Sequence, residues 1–165
     1  MRWACVVVQG PVLDVASGEG RHARFFRQRG LEVVAVDRDP KPVEGVSIVK
    51  AELEGGPWPL AGQRFAAVIV TNYLHRPLFP VLEASVAEGG VLIYETFMLG
   101  NERFGRPSNP AFLLRAGELL QAFPALTPLG FEQGRVERPK EAMIQRLCAI
   151  RGEVGSVKMP AHDHR

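Results

Sequence analysis

The stretch Val12-Leu13-Asp14-Val15-Ala16-Ser17-Gly18-Glu19-Gly20 constrains this chain more than any other. A short apolar run carries an acid, and a small-residue loop follows with glycines at 18 and 20. A helix-like segment, Arg21 to Arg29, comes next. The order is strand, tight turn, helix start. Glycines in such a turn let a ligand approach the backbone, and the free N–H groups of the helix start favour negative charge. A buried strand feeding this kind of turn opens the nucleotide site of a doubly wound α/β domain.

The 165 residues suffice for one domain with a real core, read as residues 1–151 followed by a loose tail, 152–165. Hydrophobic content of 46% and charge of 23% are those of a soluble globular chain. A net charge of +2 gives no argument for nucleic acid or an anionic membrane as partner. No apolar stretch reaches the roughly 18 residues needed to span a bilayer. Met1–Val8 is too short in its apolar part for a secretion signal, and Cys5 and Cys148 read as reduced, buried thiols. Both readings place the protein in the cytoplasm.

Five apolar runs predict strands at Val12–Val15, Glu32–Asp37, Val46–Val49, Phe65–Thr71 and Val91–Glu95. Most are nearly continuous rather than alternating, which favours parallel strands covered on both faces. Helices are expected over Arg21–Arg29, Pro77–Ala87 and part of Pro110–Phe123. In the last, Asn109 caps a first turn, Gly117 splits the segment, and the main helix begins near Ala116. Phe131–Glu137 and Ala142–Arg151 read as a hairpin around Arg138-Pro139-Lys140-Glu141.

This order of elements, with an acid closing the second strand, resembles the class I S-adenosylmethionine-dependent methyltransferases. Asp14-Val15-Ala16-Ser17-Gly18-Glu19-Gly20 is similar to their first motif, with Ala16 where the first glycine usually lies. The run from Glu95 to Pro107 resembles small bacterial members of the tellurite-resistance and thiopurine type. The resemblance implies a Rossmann-like, doubly wound, mostly parallel seven-stranded sheet in the order 3-2-1-4-5-7-6. The last strand is antiparallel, and helices lie on both faces.

The resemblance also implies S-adenosylmethionine as cofactor, S-adenosylhomocysteine as product, and a small-molecule acceptor. Gly18 and Gly20, with Ala16, Ser17 and His22 beside them, match the loop under the methionine and ribose. Asp14 matches the acid that orients this loop or meets the cofactor's ammonium. Asp37 matches the acid that holds both ribose hydroxyls, since a carboxylate accepts two hydrogen bonds at once. Glu52 falls where an acid accepts from the adenine amino group, with Leu53 and Arg38 flanking the ring. Asn72-Tyr73-Leu74-His75 follows strand four, where the transferred methyl should sit. Asn72 and Leu74 are assigned there to the cofactor, and His75 and Tyr73 to catalysis.

His75 has the chemistry to take a proton from an acceptor, or serves as a loop histidine bonded to backbone. Tyr73 shapes the methyl-transfer pocket or simply packs. No Asn-Pro-Pro-Tyr motif is present, which argues against a nucleic-acid base as acceptor. The long segment Phe97–Phe112 is placed to cover the acceptor, with Arg103 or Arg106 gripping an anionic one. His162 and His164 lack further ligands at metal spacing, so no metal is expected. Because the first strand starts so early, the pocket is expected to stand open or to be covered by another subunit in a homo-oligomer. Two alternatives stay open: a cofactor-binding scaffold without chemistry, and a dinucleotide domain. The latter rests on Gly18-Glu19-Gly20-Arg21-His22-Ala23 and on Asp37, 17 residues past Gly20.

Overall fold

A computed structural model describes residues 3–159. Its strands are β1 (Val12–Val15), β2 (Val33–Asp37), β3 (Ser47–Lys50), β4 (Phe65–Thr71), β5 (Val86–Phe97), β6 (Thr127–Val136) and β7 (Ala142–Ile150). Its α-helices are α1 (Arg21–Gln28), α2 (Phe79–Ala84) and α3 (Glu118–Ala122). The strands form one seven-stranded sheet in the order β3-β2-β1-β4-β5-β7-β6. Strands β1 to β5 pair in parallel, and β7 runs antiparallel to both β5 and β6. This is the expected architecture. The register sets Asp14 between Ala35 of β2 and Ile69 of β4.

Side chains alternate across the sheet into two cores. Leu13, Val68, Leu92 and Leu147 face α2 and α3, where Leu82, Leu119 and Phe123 close over them. Val12, Ile69, Ile93 and Cys148 face the other way, under Ala23 and Phe26 of α1 and under Trp3, Val6 and Val7 of the N-terminal segment. Helices therefore lie on both faces, and α1 shares its face with the N-terminal segment.

The elements depart from expectation where glycine or proline masks a strand. The helix expected over Pro77–Ala87 is a 3-10 turn, Arg76–Leu78, followed by α2, which stops at Ala84. Strand β5 begins just beyond, at Val86, and its register against β4 shifts between Phe65 and Ala67 to absorb Gly89-Gly90. Arg151 holds this corner by donating to the carbonyls of Val86 (2.8 Å) and Glu83 (2.6 Å). Likewise β6 starts at Thr127, four residues before the expected Phe131, through an irregularity between Pro128 and Gly130. Gly130 is required there because a Cβ would enter the Trp3 indole. Asn109 caps its turn as expected, accepting from Ala111 N–H at 3.0 Å, and α3 follows Gly117.

One expectation about the cysteines is corrected. Cys148 is buried, and burial pushes its thiol up to about 12. Cys5 is exposed, because the 3-10 turn Ala4–Val6 directs Ala4 and Val6 inward and Cys5 outward. After β7 the chain makes a 3-10 turn, Val154–Ser156, and Val157 packs on the α1-face core. His162 and His164 lie outside the described residues. Among the described residues no helix is long and apolar enough to cross a membrane, and no group of His, Cys, Asp and Glu converges as metal ligands.

Candidate active site

The order reverses between β1 and β4, and the carboxyl ends of these neighbouring strands frame the crevice where open α/β sheets bind ligands. Each strand is followed at once by a non-glycine residue with left-handed backbone: Ala16 at φ 53° and Asn72 at φ 54°. These are the only two such residues among those described. Strain of this kind concentrates at functional sites.

Asp14 is buried at 2% exposure and accepts a hydrogen bond from Ala23 N–H of α1 at 2.9 Å, tying the strand to one of the helix's free donors. Burial, partly offset by that bond, pushes its carboxyl up to about 7. The loop then turns through Ser17, whose N–H donates to Val36 O (3.2 Å), and through Gly18 and Gly20, both at positive φ. Asp37, at the end of β2, accepts from Gly18 N–H and from Asp39 N–H, each at 2.9 Å. It thereby fixes the glycine loop against β2.

Two consequences are measurable. Ala16→Gly should stabilise the protein by about 1 kcal/mol, because glycine carries no left-handed penalty; urea unfolding checks this. Asp14→Asn keeps an oxygen for Ala23 N–H and removes a buried charge. A carboxyl raised from 3.8 to about 7 contributes stability that is full below about pH 4 and lost as pH rises through 7. At pH 8 the variant should therefore be more stable than the parent by about 1–3 kcal/mol, with the difference vanishing near pH 4. Unfolding curves at the two pH values decide it.

On the side of β2 and β3, Glu52 is exposed and accepts from Glu54 N–H at 3.2 Å, while Leu53 packs into the core. Arg38 is exposed and lies 3.5 Å from Asp39. Tyr73 belongs to this side too. Its ring packs on the α2–α3 core, and its buried hydroxyl lies toward Glu54. Burial and the carboxylates of Glu54, Glu52 and Asp37 raise its pKa, so the phenol stays a proton donor. Leu74 is buried in the same core, and Tyr94 Oη donates to Tyr73 O at 2.8 Å. His75 is half-buried at the start of the turn Arg76–Leu78.

A pocket of about 550 Å³ opens on the α1 face of the sheet, at the carboxyl ends of β4 and β5. Thr71, Asn72, Ile93, Glu95 and Phe97 line it, with Ile144 and Arg146 of β7. Arg21, His22 and Phe25 of α1 form one wall. Asn101, Phe104 and Arg106 of the loop after β5 and Arg138–Ala142 of the β6–β7 turn form the other. Burial and the nearby Arg21 charge lower His22 to about 4, so it is neutral at pH 7. Arg146 donates to Glu95 at 2.6 Å and to Glu132 at 3.2 Å.

Thus Asn72, His22 and Arg106 reach the pocket, whereas Tyr73, His75 and Arg103 do not line it. Alternation past β4 sends Asn72 and Tyr73 to opposite faces, and Arg103 folds back toward Gly100 O (3.4 Å). The pocket residues Phe25, Glu95, Arg138, Lys140 and Arg146 escape a reading by motif. Their signal is the shared face of Ile93, Glu95 and Phe97, and of Ile144 and Arg146, at a period of two.

No protein-family model matches the chain, and no curated protein matches it in sequence. Its fold, however, is shared with solved methyltransferase structures. TehB from Haemophilus influenzae superposes with a TM-score of 0.74 at 14% identity over 91% of this chain. The match takes in 60% of the TehB chain, so this chain spans less than two thirds of it. The N-methyltransferase NodS from Bradyrhizobium japonicum gives 0.65 at 14% identity, over 86% of this chain and 85% of its own. The 1,6-didemethyltoxoflavin-N1-methyltransferase from Burkholderia thailandensis, solved with 1,6-didemethyltoxoflavin and S-adenosylhomocysteine, gives 0.64 at 20% identity, over 91% of this chain and 74% of its own. The sheet described above is thus the fold of the class I S-adenosylmethionine-dependent methyltransferases.

Proposed function

We propose that the protein transfers a methyl group from S-adenosylmethionine to a small-molecule acceptor held in the pocket on the α1 face. The observation that carries this is the bracing of the glycine loop at the switch of strand order, with Asp37 accepting from Gly18 N–H and Asp14 from Ala23 N–H of α1, the helix that walls that pocket. The residues fit the cofactor. Asp37 retains acceptor capacity for two ribose hydroxyls after its two backbone bonds. The Tyr73 hydroxyl, near Glu54 and Glu52, would offer a donor on the adenine side. Ala16, Ser17, Gly18 and Gly20 would present backbone to the methionine, Leu53 and Arg38 would flank the adenine, and Asn72 would lie nearest the methyl group, while Leu74 packs behind it in the α2–α3 core.

When bound, S-adenosylmethionine supplies an electrophilic methyl group on a sulfonium. In such a transfer the acceptor's lone pair would form the bond to carbon as the carbon–sulfur bond broke, with S-adenosylhomocysteine as the leaving product. The protein's part is alignment and exclusion of water, which lower the barrier without covalent help. Asn72 stands where the two ligands meet, and Asn101, Phe104 and Arg106 cover the acceptor.

Thermal unfolding with S-adenosylmethionine, S-adenosylhomocysteine and NADH tests the reading. A ligand at about 100 times its dissociation constant stabilises by roughly 2.7 kcal/mol, a rise of several degrees in a domain this size. The two sulfur ligands should give that rise and NADH none. A rise with NADH alone would mean that the glycine loop serves a dinucleotide.

A further inference from the structure

Given that reading of the pocket, we propose that its acceptor is a small organic oxyanion, with an apolar, ring-sized body and a carboxylate or phosphate head. The body is read from the floor and walls. Ile93, Phe97 and Ile144 rise from the sheet, with Phe25 and Phe104 on either side. Phe25 is 40% exposed although it belongs to a helix whose inner face is filled by Ala23 and Phe26. A flat apolar ligand against the pocket wall would cover it.

The head is read from the charges on the rim. Arg106 comes from the loop after β5, and Arg138 and Lys140 come from the β6–β7 turn. Two contacts bring these segments together. A Cβ at Gly105 would lie 3.3 Å from Lys140 Nζ, and the Arg135 guanidinium sits 5.3 Å from the centre of the Phe104 ring. The three cations therefore share one edge of the pocket.

The acids of the pocket are already engaged. Glu95 is held by Arg146, and Glu141 by Arg135. Arg106, Arg138 and Lys140 form no ion pair among the described residues. His22 is neutral and adds no charge. A chain with a net charge of only +2 thus gathers three unmatched cations at one mouth. Such a cluster attracts an oxyanion over a neutral ligand of the same shape, and the arginine forks bind it in two-pronged fashion.

The test is an NMR titration of the whole protein with benzoate, phenyl phosphate and neutral benzamide, with S-adenosylhomocysteine affinity measured on the same samples. At least one of the two acids should saturate the pocket at concentrations about tenfold or more below benzamide; which of them does so separates carboxylate from phosphate. The triple variant Arg106→Gln, Arg138→Gln, Lys140→Gln changes exposed side chains only, and should weaken that acid about tenfold while leaving S-adenosylhomocysteine affinity as it was. Benzamide binding as well as the acids, neither acid saturating, or an unchanged triple variant would overturn the proposal. If the acids bind selectively and S-adenosylhomocysteine does not bind, the oxyanion site stands and the methyl-transfer reading fails. If S-adenosylhomocysteine binds and the acids show no preference, only the oxyanion proposal fails.

Discussion

Asp37→Ala should lower the affinity for S-adenosylhomocysteine by 100-fold or more while moving the unfolding midpoint of the free protein by only a few degrees. The carboxylate has two tasks. It accepts from Gly18 N–H and Asp39 N–H, both at 2.9 Å, and these donors are exposed enough for water to replace it. Its second task, in the function proposed above, is to accept from the ribose hydroxyls. Hydrogen bonds to a charged group contribute about 1.5–3 kcal/mol each. Losing a pair of them, together with the anchor that holds the glycine loop to β2, accounts for the collapse in affinity. Isothermal titration of parent and variant measures it. An affinity within threefold of the parent would show that the ribose lies elsewhere.

The second large effect falls on the cover of the pocket. Asn101 is buried at 2% exposure and joins two segments distant in sequence. Its Nδ2 donates to Pro107 O at 2.9 Å, and its Oδ1 accepts from Met143 N–H at 3.1 Å. Asn101→Ala removes both bonds and strands a buried donor and acceptor, at a cost of about 2–4 kcal/mol. The midpoint should fall by roughly 5–15 °C in a domain this size. Because the same bonds pin the loop carrying Phe104 and Arg106 to β7, acceptor binding should weaken while S-adenosylhomocysteine affinity is kept. Asn101→Asp retains the oxygen for Met143 N–H but not the donor for Pro107 O, and should fall between parent and alanine variant. Calorimetric unfolding of the three proteins gives the order.

These two residues show what a linear reading reaches. Asp14, Gly18 and Asp37 are legible because their roles depend on covalent neighbours: an acid in a strand, a turn that needs glycine, an acid closing the next strand. The parallel sheet is legible because its central strands are apolar on both faces. By contrast, Gly89-Gly90 and Pro128-Leu129-Gly130 look like breaks, and both are absorbed within strands by register shifts. Ala16, standing where the first glycine of the motif usually lies, adopts φ 53°, a feature of turn geometry that alanine itself does not signal.

Of the Phe97–Phe112 segment, Phe97, Asn101, Phe104 and Arg106 line the cavity and Arg103 does not. Arg138 and Lys140 look like ordinary turn charges until the antiparallel pairing of β6 with β7 carries them over the end of β5. Asn101 resembles any loop asparagine until Met143, 42 residues later, arrives beside it. Long-range pairing decides these positions, and local spacing does not encode it.

The most direct test of the account is a map of backbone amide shifts on titration with S-adenosylhomocysteine. The account predicts that the largest changes fall together on Gly18, Asp37, Leu53 and Asn72, at the carboxyl ends of β1, β2, β3 and β4. Saturable shifts confined to other parts of the sheet, or none at millimolar ligand, would contradict it.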